Sequence, residues 1–247
     1  MPDVVGWRAK MGVIVPSTNT VVEHDFNHMA PPGVTFHAGR MYIEHPALDS
    51  DTAFEAILGE IRASIRTAIR DVMTCEPDYL VMGMSAETFW GGVEGNTAFI
   101  ERVREQSGLR VSTGASACRA ALETLGVKRI AAFSPYQPVA DRQVRRFFEE
   151  AGFEVARVTG LRCNSATAIA CVGEHELRGV LRELDGPGVE AIVQAGTNLS
   201  MVRLADEAER WLGKPVIAIN AATLWHALRA CGISDRFAGF GSLLREH

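Results

Sequence analysis

The chain has 247 residues, of which 47% are hydrophobic and 22% charged, with a formal net charge of −5. A chain of that length buries a sizeable core without disulfides or metals, as one large α/β domain or two of about 120 residues. Its acidic balance, with no basic face to offset it, argues against nucleic acid as a partner, and the absence of a long apolar run argues against a membrane span.

Five cysteines, Cys75, Cys118, Cys163, Cys171 and Cys231, are odd in number and form no CxxC pair. The opening MPDVVGWRAKMGVIVP lacks the long apolar stretch and small-residue cleavage site of a signal peptide. Both features lead us to expect a reduced, cytoplasmic protein.

The first element expected is a buried strand over Met11–Val15, ending in the polar loop Pro16-Ser17-Thr18-Asn19-Thr20. A short strand at Val34–Phe36 follows. Thr52 and Glu55 then form a candidate capping box, and behind them Phe54, Ile57, Leu58, Ile61, Ile65, Ala68, Ile69 and Val72 recur at helical spacing. A strand at Asp78–Met82 leads into a loop from Gly83 to Gly92, a helix at about Asn96–Gln106 and a strand at Leu109–Ser112. A helix over Ser116–Leu125 closes on Gly126.

The second part reads in the same way. Strands at Arg129–Phe133, Phe153–Val158, Glu190–Gln194 and Pro215–Ile219 alternate with helices at Val139–Ala151, about Glu174–Leu184, Leu199–Leu212 and Ala221–Ala230. Arg142, Arg145 and Arg146 read as the solvated side of the first of these helices.

Alternation of this kind implies βαβ units and parallel sheets. The pattern also repeats. LVMGMS (80–85) and IVQAGTN (192–198) are equivalent strand ends, their glycines Gly83 and Gly196 lying 113 positions apart. The loop holding Asn19 corresponds to the one holding Tyr136, 117 positions on. We therefore expect two similar Rossmann-like or flavodoxin-like parallel-sheet halves related by a pseudo-twofold, divided as 1–115 and 116–247.

Ligands of open parallel α/β sheets bind beyond the carboxyl ends of the strands, so two such halves facing each other would gather four loops around one cleft. Those loops are Ser17-Thr18-Asn19, Gly83-Met84-Ser85, Ser134-Pro135-Tyr136 and Gly196-Thr197-Asn198. Any one of them is ordinary turn chemistry. Four at equivalent places suit the oxygens of a carboxylate or phosphate, held by hydroxyls, amides and backbone N–H groups.

On these motifs the chain resembles the maleate cis-trans isomerase and arylmalonate decarboxylase family of the aspartate/glutamate racemase superfamily, from MGVIVPSTNT almost to the closing FAGFGSLL. The resemblance makes Asn19 and Asn164 (in LRCNSATAIA) carboxylate-binding residues and lays Tyr136 over the substrate carboxylate. It makes Gly83, Met84 and Ser85, in MGMSAETFWGG, an enolate cradle. It further implies no cofactor and no metal, a small carboxylate as substrate, and a homodimer or homotetramer.

Family chemistry uses cysteine thiolates at the two strand tips; the decarboxylase keeps only the second, with glycine at the first. Here both tips carry glycine, Gly83 and Gly196. A thiol deprotonates near neutral pH and acts as nucleophile or proton carrier, which a hydroxyl does not do without a base.

Cys163 precedes Asn164 at a loop entrance, and small buried packing outweighs reactivity as its role. His24 and His28 share a helical face, but no third metal ligand accompanies them. Glu87, Ser85 and Thr197 are the candidate catalytic groups beside Tyr136, with Glu87 as a proton carrier should burial raise its pKa. Met84, Phe89 and Trp90 are candidate apolar walls. Three readings stand: a cofactor-independent decarboxylase or other lyase, a maleate-type isomerase with non-thiol groups, and a silent carboxylate-binding protein.

Overall fold

The computed structural model describes residues 3–247, so the first two residues of the expected N-terminal half lie outside it. Two four-stranded parallel sheets form its frame. The first contains β1 (Ala9–Pro16), β2 (Val34–Met41), β3 (Tyr79–Met82) and β4 (Val111–Ser112), in the order β2-β1-β3-β4. The second contains β5 (Arg129–Ser134), β6 (Glu154–Gly160), β7 (Ala191–Gln194) and β8 (Val216–Ala218), in the order β6-β5-β7-β8. Identical orders are the structural form of the repeat read in the sequence. Every residue of β3 and β7 is buried, as strands covered on both faces require.

Helices α1 (Val22–His28), α2 (Asp51–Val72), α3 (Ala86–Phe89), α4 (Gly92–Ser107) and α5 (Gly114–Thr124) belong to the first sheet. The second half of the chain adds α6 (Pro138–Glu150), α7 (Glu174–Leu184), α8 (Val202–Leu212), α9 (Ile219–Ala230) and the short α10 (Ser242–Glu246), of which α9 packs on β3 and β4 of the first sheet as well as on β8. The halves meet where α5 packs on α9 and α1 also leans on α9. A Cβ on Gly114 would lie 2.5 Å from Ile219 Cδ1, so this glycine permits the close approach of α5 to α9.

Several local expectations are corrected. Helix α2 starts at Asp51, and its cap is Ser50, whose Oγ accepts the Ala53 N–H at 3.1 Å. The Thr52/Glu55 capping box therefore sits inside the first turn. Asp51 is left free to accept the Val139 N–H at 2.9 Å, at the start of α6 in the other half. The loop from Gly83 to Gly92 contains the one-turn helix α3. On α6, Arg145 and Arg146 pair with Glu149 and Glu150 one turn on, the solvated face expected of them.

Candidate functional site

The carboxyl ends of β1, β3, β5 and β7 converge on one cavity of about 70 Å³. It is lined by Thr18, Asn19, Met84, Ser85, Tyr136, Thr197 and Asn198 from the four loops. The remaining walls are apolar: Ile43, Leu48, Phe54, Ile57, Ile61 and Ile169. No Lys, Arg or His lines it, so an anion there meets neutral donors alone. The volume lies far below the roughly 300 Å³ at which sites for drug-sized ligands begin, and so suits a small acid.

Each loop is tied by its own hydrogen bonds. Asn19 Oδ1 accepts the N–H groups of Val21 and Val22 at 2.9 and 3.0 Å. That fixes the amide with Nδ2 toward the cleft, where it donates to Thr197 Oγ1 at 3.3 Å. Ser85 Oγ is hydrogen-bonded to the Tyr136 hydroxyl and lies 3.4 Å from the Thr197 N–H. One hydroxyl of the first half thus touches both loops of the second.

Burial drives the Tyr136 phenol well above its ordinary pKa, against the opposing pull of its Ser85 hydrogen bond, so it stays protonated as a donor. Its backbone is held from below: Ser134 Oγ accepts the Tyr136 N–H at 3.0 Å and donates to Asp141 at 2.6 Å. Arg162, itself ion-paired with Asp141, donates to the Tyr136 carbonyl at 2.5 Å. Arg162 takes a left-handed φ of 58°, a conformation costly for a residue with a side chain. Burial raises the pKa of Asp141, opposed by its bonds to Ser134 and Arg162.

The other expected site residues fall elsewhere. Ser17 Oγ accepts the Ile43 N–H at 3.0 Å, so it shapes the loop behind the cleft. Asn198 spends both ends of its amide on the scaffold, accepting the Thr20 N–H and donating to the Ala166 carbonyl. The side chain of Asn164 is exposed, while its carbonyl accepts the Leu48 N–H at 2.8 Å and ties the segment after β2 to the second half.

Glu87 is buried but faces away from the cavity, because Arg62 of α2 takes both its oxygens at 2.9 and 2.8 Å. Among the expected apolar walls, Met84 lines the cavity. Phe89 instead packs against Phe147 and Phe148, and Trp90 stacks on Phe54. A larger groove of about 500 Å³ lies outside, between α2 and α4, and shares only Ile61 with the cavity.

The expected equivalence of Gly83 and Gly196 is corrected by the strand register, which matches Gly83 with Ala195 and sets Gly196 one residue further along the loop. A Cβ at Gly83 would meet Val22 Cγ1 at 3.0 Å and the Ile14 carbonyl at 3.2 Å. At Gly196 it would meet Pro135 Cγ at 2.7 Å and Cδ closer still. A side chain at Gly196 therefore needs the proline ring to move. The thiol nearest the loops, Cys163, does not line the cavity, and burial pushes its pKa up to about 11. Among the described residues no three His, Cys, Asp or Glu side chains gather as metal ligands, and the rings of His24 and His28 stack on each other.

Two racemase-like half-sheets with a neutral, donor-lined cleft at their strand tips define the class. The particular family follows from comparison: the arylmalonate decarboxylase family profile matches residues 11–244, and the chain belongs to that family. Maleate isomerase of Pseudomonas putida is 26% identical over 95% of this chain and 96% of its own length. Arylmalonate decarboxylase of Bordetella bronchiseptica is 27% identical over 67% of this chain and 70% of its own.

Among solved structures, a cysteine-to-serine mutant of Nocardia farcinica maleate cis-trans isomerase, with a covalently bound succinylcysteine intermediate, matches with a TM-score of 0.86. It shares 23% identity, over 96% of this chain and 98% of that one. A liganded arylmalonate decarboxylase double mutant matches with a TM-score of 0.84 and 22% identity, over 96% and 99% of the two chains. These likenesses establish the shared two-domain fold.

Proposed function

We propose that this protein is a cofactor-independent decarboxylase of small substituted malonates, or of closely similar dicarboxylic acids. One observation carries the reading. The cavity offers hydroxyl, amide and backbone N–H donors beside an apolar wall, while the two strand tips are Gly83 and Ala195, neither of which carries a thiol. Such a site holds and stabilises anions but supplies no thiolate at either tip.

In this reading one substrate carboxylate sits on Ser85, Thr197, Asn19 and the backbone N–H groups of Met84, Ser85 and the 196–198 loop. The other carboxylate faces Ile43, Leu48, Phe54 and Ile57, where an ionised group is poorly solvated and loses CO₂ more readily. The electron pair of the breaking C–C bond moves into the retained carboxylate as an enediolate, which the donors stabilise. An enediolate carbon is basic enough to take a proton from the hydroxyl of the Ser85–Tyr136 pair. Water then reprotonates that pair, and the hydroxide formed combines with CO₂ as bicarbonate.

The test is incubation of the metal-free protein with methyl-, phenyl- and other monosubstituted malonates, and with maleate, followed by NMR. Loss of one carboxylate as CO₂ or bicarbonate is the expected result. Conversion of maleate to fumarate without loss of carbon would replace this reading with isomerisation by non-thiol groups. Acids that raise the melting temperature without any product would leave a carboxylate-binding protein.

A further inference from the structure

Behind the 196–198 loop, on the side away from the cavity, lies a buried polar bridge between the halves that none of the chemistry above uses. Asp25 of α1 is 6% exposed and Asn220 of α9 is 2% exposed. Asn220 Nδ2 donates to Asp25 Oδ2 at 2.8 Å and to the Thr197 carbonyl at 3.0 Å. Both Nδ2 hydrogens are therefore engaged. Asn220 Oδ1 is buried with no partner among the described residues.

An orphaned buried acceptor is unfavourable, so something must hold the amide in that orientation. Two acceptors do so: flipping the amide would set Oδ1 against both the Asp25 carboxylate and the Thr197 carbonyl. Asp25 thus orients Asn220, and Asn220 grips the Thr197 carbonyl.

The consequence lies in the peptide plane. A trans peptide holds its C=O and N–H in opposite directions. With the Thr197 carbonyl drawn outward onto Asn220, the N–H of Asn198 is turned toward the cavity that both residues line. That N–H donates to no acceptor among the described residues, and the Asn198 side chain is spent on Thr20 and Ala166. It is a preorganised donor with nothing to bind except a ligand.

We propose that Asn220, oriented by Asp25, is a positioning residue that aims the Asn198 N–H at the oxyanion of the substrate; the oxyanion itself rests on the decarboxylase reading above. The two halves are thereby coupled at the donor: α1 of one half and α9 of the other share a hydrogen-bond chain that ends at the second strand tip. Without it the 197–198 peptide is free to rotate, and the cleft loses one aligned donor while keeping its shape and hydroxyls.

The test uses ¹⁵N-labelled full-length protein and three chains: wild type, Asn220→Ser, and the exchange Asp25→Asn/Asn220→Asp. The exchange keeps one carboxylate and one amide in the bridge, so it preserves the α1–α9 contact, but a carboxylate at 220 cannot donate to the Thr197 carbonyl. The expected result is a melting temperature in the exchanged protein near that of wild type. Its Asn198 amide resonance is displaced even without ligand, and kcat falls about tenfold to a hundredfold while KM changes less.

A structural role alone would restore kcat and the Asn198 resonance together with stability, and that outcome overturns the proposal. If no malonate or maleate is turned over by wild type, the decarboxylase reading fails separately. The ligand-free Asn198 resonance then decides: one unmoved in both variants overturns the positioning role.

Discussion

The first residue beyond β3 is Gly83 and its counterpart beyond β7 is Ala195, each donating its N–H to the neighbouring strand at 2.8 Å, so the two tips differ in sequence as well as in surroundings. At the first, Gly83 donates its N–H to the Ile14 carbonyl at 2.8 Å, and the Ser85 hydroxyl two residues on lines the cavity and meets Tyr136. A side chain added there meets Val22 at 3.0 Å, contact that a shift of a few tenths of an ångström relieves. At the second, the Gly196 carbonyl is held by Gln194 Nε2 at 2.6 Å and the Thr197 carbonyl by Asn220, while Pro135 fills the side-chain space. Both tips therefore present a hydroxyl, Ser85 and Thr197, and the second in addition has its carbonyls held by Gln194 and Asn220. The two halves share one topology and differ in how their tips are packed.

Removing the hydroxyl of the first tip should have the largest effect. Ser85→Ala is expected to lower kcat about 10²–10³-fold, the usual loss when one oxyanion donor is removed, with steady-state turnover of a malonate as the readout. Thr197→Val at the second tip should cost less, because the backbone donors there persist.

Next comes the charge behind the second tip. Burial raises the pKa of Asp25 to about 6 from an ordinary 3.8, against the opposing hydrogen bond from Asn220. A folded-state value above the unfolded one means that protonation favours the folded protein. The contribution is complete below about pH 3.8 and is lost as pH rises through about 6. At neutral pH the ionised carboxylate therefore costs up to about 3 kcal/mol at 1.36 kcal/mol per pH unit. Asp25→Asn should remove that slope: urea titrations at pH 7 should find the variant the more stable, with the gap closing toward pH 4. A gap independent of pH would contradict the assignment to Asp25.

The glycines give the smallest but most direct contrast. Gly196→Ala should destabilise by about 1–3 kcal/mol, the range for overpacking a filled site, and Gly83→Ala by clearly less. Equal losses in the denaturation midpoint would remove the asymmetry.

Much of the frame was legible in the sequence. The apolar runs that make β1, β3, β5 and β7 end in the loops that do converge, because buried parallel strands and their turns leave local signals. Asn19, Ser85, Tyr136 and Thr197 sit together for that reason. What the sequence hid is tertiary. Glu87 looks like a free loop carboxylate until Arg62, 25 positions earlier on another helix, takes both its oxygens. Asp25 and Asn220 are 195 positions apart and share no motif. The walls Ile43 and Leu48 come from the irregular segment between β2 and α2, where no periodicity points inward. Thr52 and Glu55 satisfy the spacing of a capping box, and only the backbone shows that Ser50 already holds the start of α2.

The central claim is thiol-free decarboxylation in a cleft of neutral donors, and one measurement addresses it most directly. CO₂ release from methylmalonate would be followed in D₂O, before and after alkylation of accessible cysteines with iodoacetamide. The account predicts release of one CO₂ per substrate, deuterium on the α-carbon of the product, and the same rate after alkylation. A rate abolished by alkylation, or maleate isomerised while methylmalonate remains intact, would contradict it.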